Sequence, residues 1–339
     1  MKLHIVSATT KTAEALRERL LSPWSACLWK APAFGNKLRF NSKAVCFFEE
    51  SVNFLRLTCS RGMYGKNQLI VCENCHVSVL LFGKWLRILG IPQRIYLLNF
   101  YLHDMGKAAI VKTILAFLLR QDVGIMAYSA SDRDYFKKLS PTADVRFTPW
   151  CGEDGFDAGD LPIKDGDYIF AGGYANRDYN FFIRCAAAFP KQRFMIVCSK
   201  RNRIAGGPPE NVEIFNDISP QEFHARMAAS KAIVIPLKND VGASGQMVAV
   251  AAMKLGKAIL YPDFNGVAHY FEDKVSGLQY KAGNIDSLKN AISFVLENPS
   301  VCMKIGAKAR QQWQARFRGD QLNKALEQHA TEFLGIRLR

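Results

Sequence analysis

Two glycine-bearing segments in the second half of the chain combine residue types that can hold an anion. In Phe170-Ala171-Gly172-Gly173-Tyr174-Ala175-Asn176-Arg177-Asp178, an apolar run ends in a glycine pair and a cation stands just before the next amphipathic stretch. Glycine lets a ligand approach the backbone, Arg177 brings a fixed charge on a forked donor set, and Asp178 can cap a helix. The arrangement suits a diphosphate, although a tight turn with a solvated arginine would use the same residues. In Asp240-Val241-Gly242-Ala243-Ser244-Gly245-Gln246, a glycine-rich turn leads into a helix of small residues that ends at Gly256. Its start offers free backbone N–H groups and the positive end of a helix dipole. The alternative is a helix end that simply faces water.

These segments need a scaffold, and short apolar strands separated by helices supply one. In the first half, strands are expected at Leu3–Ser7, Gln68–Cys72, Arg94–Leu98 and Gly124–Tyr128. Helices are expected at Lys11–Leu21, His76–Leu89, His103–Arg120 and Ser131–Leu139, with an amphipathic stretch at Ser42–Cys59. Ser22–Arg39 reads as irregular, and Ser131 with Asp134 as a helix cap. Thr148–Asp165, broken by prolines and glycines, reads as an interdomain linker. The alternation then restarts, with strands at Tyr168–Ala171, Phe194–Cys198, Val212–Phe215, Ala232–Pro236, Ala258–Tyr261 and Gly277–Tyr280. Three helices, Ile285–Leu296, Ser300–Arg316 and Asp320–Phe333, close the chain. An α/β class with two doubly wound parallel sheets follows. The domains are expected at 1–150 and 151–317, with 318–339 a helix packing back on the first. Ligands of such sheets lie beyond the strand C-termini, so two Rossmann-like domains facing each other would enclose a cleft.

From about Asp167 to Phe317 the chain resembles the nucleotide-sugar domain of the GT-B glycosyltransferases, in particular glycosyltransferase family 4. The resemblance rests on Gly172 to Asp178, on Ala251-Ala252-Met253-Lys254-Leu255-Gly256-Lys257-Ala258-Ile259, on Gly266 through Ser276-Gly277-Leu278, and on the order and spacing of Asn284–Leu288, Leu296–Ser300, Ile305–Ala309 and Arg316-Phe317. It implies a sugar transfer from a nucleoside diphosphate sugar to a glycan or lipid-linked acceptor in polysaccharide or lipopolysaccharide assembly, with retention of configuration. No cofactor or metal is implied, because basic side chains and a helix N-terminus stabilise the leaving diphosphate.

The resemblance also assigns residues. Donor binding would fall to Gly173, Arg177, Ser244, Gly245 and Gln246, with Lys200 or Lys238 as a second cation and the nucleobase near Asn216–Ile218. By its place after a strand C-terminus, His103 would face the transferred sugar, or with Asp104 would serve as a structural cap, and Ser7 and Thr10 would meet acceptor or phosphate. The family's Glu-x7-Glu pair is replaced here by Ala243 and Ala251, and Tyr174 stands where the family has an arginine. Methyl groups cannot accept the hydrogen bonds of sugar and ribose hydroxyls, so recognition would shift to Ser244, Gln246 and Asp240 or be lost. A degenerate nucleotide-sugar or glycan-binding protein is therefore the alternative. Asp132 with Asp134 and Asp165 with Asp167 have the spacing of metal-using transferases, but read as a helix cap and a linker turn.

The chain has 339 residues, with 45 Lys+Arg against 30 Asp+Glu and a formal charge of +15. Residues 1–150 hold 21 basic and 10 acidic side chains, so +11 of that charge lies in the first half. Phe40–Arg61 and Lys84-Trp85-Leu86-Arg87, with Lys107, Lys112 and Arg120, set cations beside bulky apolar groups, as at an anionic membrane surface. A core face with a solvated charged back is the other reading. No nucleic-acid motif accompanies the charge. Nine cysteines, of which only Cys72 and Cys75 have ligand spacing, indicate reduced thiols and no metal site. Val77–Phe82 and Ala108–Leu119 are too short to span a bilayer, and Met1–Val6 lacks the features of a signal peptide. A cytoplasmic protein, soluble or peripheral at the inner membrane face, is expected.

Overall fold

The structure is a computed structural model in which residues 2–7, 25–30, 68–73, 77–91, 94–98, 109–152, 166–240 and 242–334 are described. The chain forms two compact units, Met1–Thr148 with Asn323–Arg339, and Pro149–Leu322.

Unit 1 carries six strands, β1 (Lys2–Ser7), β2 (Ser25–Lys30), β3 (Gln68–Glu73), β4 (Arg94–Leu98), β5 (Val123–Ala127) and β6 (Asp144–Phe147). They form one parallel sheet in the order β2-β1-β3-β4-β5-β6. Its helices are α1 (Val77–Ile88), α2 (Ala109–Leu118) and α3 (Ala130–Leu139). Every residue of β5 is buried, as a strand covered on both faces requires. Phe82, Leu86, Leu97, Leu115, Ile125 and Phe136 form the core on one face.

Three expectations need correction here. The supposedly irregular Ser22–Arg39 contains edge strand β2, paired only with β1. Strand β6 was not expected from Asp144-Val-Arg-Phe147, whose charges sit at partly exposed positions of an edge strand, where alternation with water is tolerated. The cap of α3 is Ser129, whose extended backbone lets its hydroxyl accept from the Asp132 N–H at 3.0 Å, and not Ser131. The expected helices at 11–21 and 42–59, and residues 103–108 of the third, lie outside the described residues.

Unit 2 carries β7 (Tyr168–Gly172), β8 (Arg193–Cys198), β9 (Val212–Asn216), β10 (Ala232–Val234), β11 (Ala258–Pro262) and β12 (Leu278–Tyr280), parallel in the order β12-β11-β10-β7-β8-β9. The helices are α4 (Tyr179–Ala186), α5 (Pro220–Ala229), α6 (Gln246–Leu255), α7 (Asn265–Ala268), α8 (Ile285–Glu297) and α9 (Pro299–Gln312), with a π turn at Trp313–Phe317; α10 (Gly319–Leu334) begins here and belongs to unit 1 from Asn323 onward. Their starts follow from local chemistry. Asp178, Ser219 and Asn284 accept from the N–H groups of Phe181, Glu222 and Ser287, and Pro220 sits at a first-turn position that needs no donor. Helix α6 packs through Ala249, Ala251 and Ala252, all buried, and ends at Gly256, whose φ of +66° suits glycine. Helix α9 passes so near that a Cβ on Gly306 would stand 2.0 Å from the Gly256 carbonyl oxygen.

The end of α10 belongs to unit 1. There the Phe333 ring lies 5.9 Å from that of Tyr96, and Glu332 pairs with Arg146, which also holds Asp144.

After α7, burial holds His269 below the usual imidazole range, outweighing the bond of Nδ1 to the Asn265 carbonyl at 3.1 Å. The unfolded imidazole titrates near about pH 6.5. Below that value the unfolded chain takes up a proton that the folded unit does not, so this stability is complete at higher pH and lost as pH falls. His269→Gln should therefore flatten the fall of the melting temperature between about pH 7 and about pH 5. An unchanged slope would exclude this residue as a source of acid sensitivity.

Candidate functional site at the C-terminal edge of the second sheet

The strand order of unit 2 reverses between β7 and β10, the place in an open parallel sheet where flanking loops part and a ligand can enter. The chain leaves β7 through Gly173 at φ +118°, where a Cβ would stand 2.5 Å from the Arg177 guanidinium. Glycine thus lets Arg177 fold back over its own turn. Arg177 Nε donates to the Gly172 carbonyl at 3.0 Å and Nη1 to that of Ala175 at 2.6 Å. Among the described residues no carboxylate pairs with it. Burial pulls its pKa below the usual guanidinium range, the direction expected of a desolvated cation without a counter-ion. Beneath it the Tyr179 hydroxyl donates to the Gly173 carbonyl at 2.5 Å, and that of Tyr280 to the Ile235 carbonyl at 2.9 Å. Burial raises both phenol pKa values, so both groups remain donors.

A short antiparallel bridge joins this turn to the loop after β10. Arg177 pairs with Leu237, the Asp178 N–H donates to the Pro236 carbonyl at 2.8 Å, and the Lys238 N–H to that of Asn176 at 3.1 Å. The Asn176 side chain adds a bond to the Asn239 carbonyl at 2.8 Å. The exposed Lys238 is thereby carried to the loop that holds Arg177.

The start of α6 adjoins the same loop. Gly245, at φ +86°, would with a Cβ meet the Ile235 side chain at 2.9 Å. Among the described residues no side-chain hydrogen bond caps α6, unlike α4, α5 and α8, and a helix start of this kind carries the positive end of the dipole. Ser244 is half-buried at this start. Two of the expected residues also serve the fold. Asp240, considered as a substitute for the missing carboxylates, accepts from the N–H groups of Asn265 and Gly266 at 3.1 and 2.9 Å and so holds the start of α7. The Gln246 side chain is buried and directed at the Gly266 carbonyl, 3.4 Å away.

Beside these loops, Tyr174, Ala175, Ser199, Lys200, Arg201 and Asp217 line a pocket of about 550 Å³. Asn202 shapes it, accepting from the Ser199 N–H at 3.0 Å and donating to the Tyr174 carbonyl at 2.9 Å. Asp217, at φ +51°, accepts from the Lys200 N–H at 3.3 Å. Lys200 therefore lines this pocket, Asn216 is exposed at the end of β9, and Ile218 packs on the core with only part of its surface free. Ser199, Arg201 and Asn202 were not among the expected site residues, whereas Asp217 lies within the Asn216–Ile218 stretch expected near the nucleobase. The Ser199 hydroxyl accepts from the Arg201 N–H at 3.2 Å, an ST turn that the serine at the end of the strand permits.

Ala251 is fully buried in the core and Ala243 is half-buried. Asp132 serves the α3 cap, while Asp134 pairs with Arg133 and Asp167 with Lys231. Among the described residues no group of three or more His, Cys, Asp or Glu is placed to hold a metal ion, and no helix is long and apolar enough to cross a membrane. Ser7 closes β1, with only its backbone described; Thr10, His103 and Asp165 lie outside the described residues.

The fold is that of the GT-B glycosyltransferases. Residues 200–312, within unit 2, match the family model described as glycosyl transferases group 1. The chain is similar to sucrose-phosphate synthase from Thermosynechococcus elongatus, with a TM-score of 0.75 at 14% identity over 99% of each chain. It is similar to an E. coli trehalose-6-phosphate protein bound with UDP-2-fluoro glucose, with a TM-score of 0.70 at 14% identity over 100% of each chain. The Anabaena protein HepE in complex with UDP gives 0.69 at 13% identity, over 98% of this chain and 100% of its own. No curated protein matches by sequence.

Proposed function

We propose that the protein transfers a sugar from a nucleoside diphosphate sugar to a glycan or lipid-linked acceptor in polysaccharide or lipopolysaccharide assembly, at the inner face of a membrane. The observation that carries the reading is Arg177, half-buried at the strand-order reversal, bonded among the described residues to main-chain carbonyls and joined by the bridge at Leu237 to the loop that leads to the start of α6. Such a cation and helix end can stabilise charge on a leaving diphosphate without a metal. Lys238 or Lys200 supplies the second cation, the pocket around Lys200 and Asp217 takes the nucleoside, and His103, Ser7 and Thr10 belong to the acceptor side. The GT-B relatives that hold UDP or a UDP-sugar support uridine diphosphate sugars as the first donors to try. Retention of configuration follows from the family resemblance.

The test is nucleotide release and sugar transfer with a panel of uridine, guanosine and cytidine diphosphate sugars. Turnover with any donor supports the reading; a panel without binding or turnover overturns it. Ala243 and Ala251 favour a second reading, a binding protein that has lost catalysis. It would show donor affinity with no nucleotide release under any acceptor condition.

A further inference from the structure

Helices α1 and α2 of unit 1 leave a contiguous apolar face uncovered. On α1, Leu81, Lys84 and Ile88 recur at the three- and four-residue spacing that sets them on one side, with Leu81 44% and Ile88 82% exposed. On α2, Ile114 and Phe117 do the same, at 47% and 58%. The Lys84 ammonium lies 5.3 Å from the Phe117 ring centroid, so the two strips adjoin, and Arg120 stands at the same distance from that ring. The inward sides of these helices send Phe82, Leu86, Leu115 and Leu118 into the core. The exposed groups are therefore additional to those the fold uses.

Among the described residues the charges around this face are predominantly positive. Lys84, Arg87, Lys112 and Arg120 surround it, and residues 77–91 and 109–122 contain a single carboxylate, Asp122, which pairs with Arg87 at 3.2 Å. Scattered exposed apolar side chains are ordinary, but two adjoining strips of them ringed by cations match a surface that is apolar inside and anionic outside.

We propose that this face binds an anionic lipid bilayer, with Ile88, Ile114 and Phe117 entering the acyl boundary and the four cations at the head groups. The inference rests on the membrane expectation of the reading above and gives it a place in the fold. The two fail separately, because lipid binding and donor binding are read in different assays.

The test is flotation of the full chain with phosphatidylcholine vesicles, with and without phosphatidylglycerol. The protein should float only with phosphatidylglycerol and be released by salt. Ile88→Ser with Phe117→Ser, and separately Lys112→Glu with Arg120→Glu, should each lower partitioning at least about tenfold. Lys289→Glu in unit 2 should not. All four altered residues are solvent-exposed, and unchanged circular dichroism and donor affinity will show that both variants fold. The proposal is overturned if the protein floats with neither vesicle, if both double variants float like the parent, or if the face captures an acidic protein while ignoring lipid. Absent flotation with intact donor binding would remove this proposal alone, and flotation without donor binding would remove the donor reading alone.

Discussion

Arg177→Ala should abolish measurable binding of nucleoside diphosphate sugars. Truncating a charge that is held in a partly desolvated site and hydrogen-bonded to its ligand costs about 2–5 kcal/mol, roughly 30-fold to several thousand-fold in affinity. Among the described residues, two of the five guanidinium N–H groups are engaged by the Gly172 and Ala175 carbonyls, which fixes the plane of the fork; under the proposed function the other donors would meet the diphosphate. Arg177→Lys keeps the charge but loses the fork and should fall between parent and alanine variant. Calorimetric titration with the donor panel gives the answer. Affinity unchanged in the alanine variant would remove Arg177 from the site.

Gly306→Ala should lower the stability of unit 2 by about 1–3 kcal/mol, the range for overpacking. The new methyl would stand 2.0 Å from the Gly256 carbonyl oxygen and 2.7 Å from its carbon, both main-chain atoms that no side-chain rotation can move aside. Gly256 is itself held at φ +66°, with the N–H groups of Gly256 and Lys257 closing the last turn of α6 on the carbonyls of Met253 and Ala252. The strain must therefore separate α9 from α6. The melting temperature of unit 2 should drop by about 3–10 °C. A change within about 1 °C would mean that the helices part at no cost, against their close packing.

The parts of the fold legible in the sequence were those with a strong local signature. Tyr168–Gly172, Val123–Ala127 and Ala258–Pro262 are short apolar runs because both faces of each strand are covered. The α5 boundaries were legible because Ser219-Pro220 opens it and Ser230 follows it. Edge strand β6 lacks that signature: it has one neighbour among the described strands, so Asp144 and Arg146 alternate with Val145 and Phe147 and leave no continuous apolar run, whereas β2 does hold the short apolar run Ala26–Trp29.

The candidate site divides along the same line. Gly173, Arg177 and Gly245 stand out by residue type, since a turn at positive φ and a cation beside it are local features. The bridge from Arg177 to Leu237 is not legible, because it depends on two loops separated by about 60 residues in sequence meeting in space. Asp240 illustrates the limit. Its type suggested recognition of a hydroxyl, whereas the position of α7 commits both its oxygens to backbone N–H groups.

The return of α10 to unit 1 sets an order for biosynthesis. Phe333 packs on Tyr96 and stands at the flank of Gly124, so unit 1 lacks part of its core until a segment made after all of unit 2 has left the ribosome. The second sheet can assemble during translation, while the first waits as an incomplete intermediate. A single cut at the boundary after Thr148 cannot release a complete unit 1. A fragment carrying that unit would need the α10 end joined to it through a new connection, whereas Pro149–Leu322 can be expressed as one continuous segment.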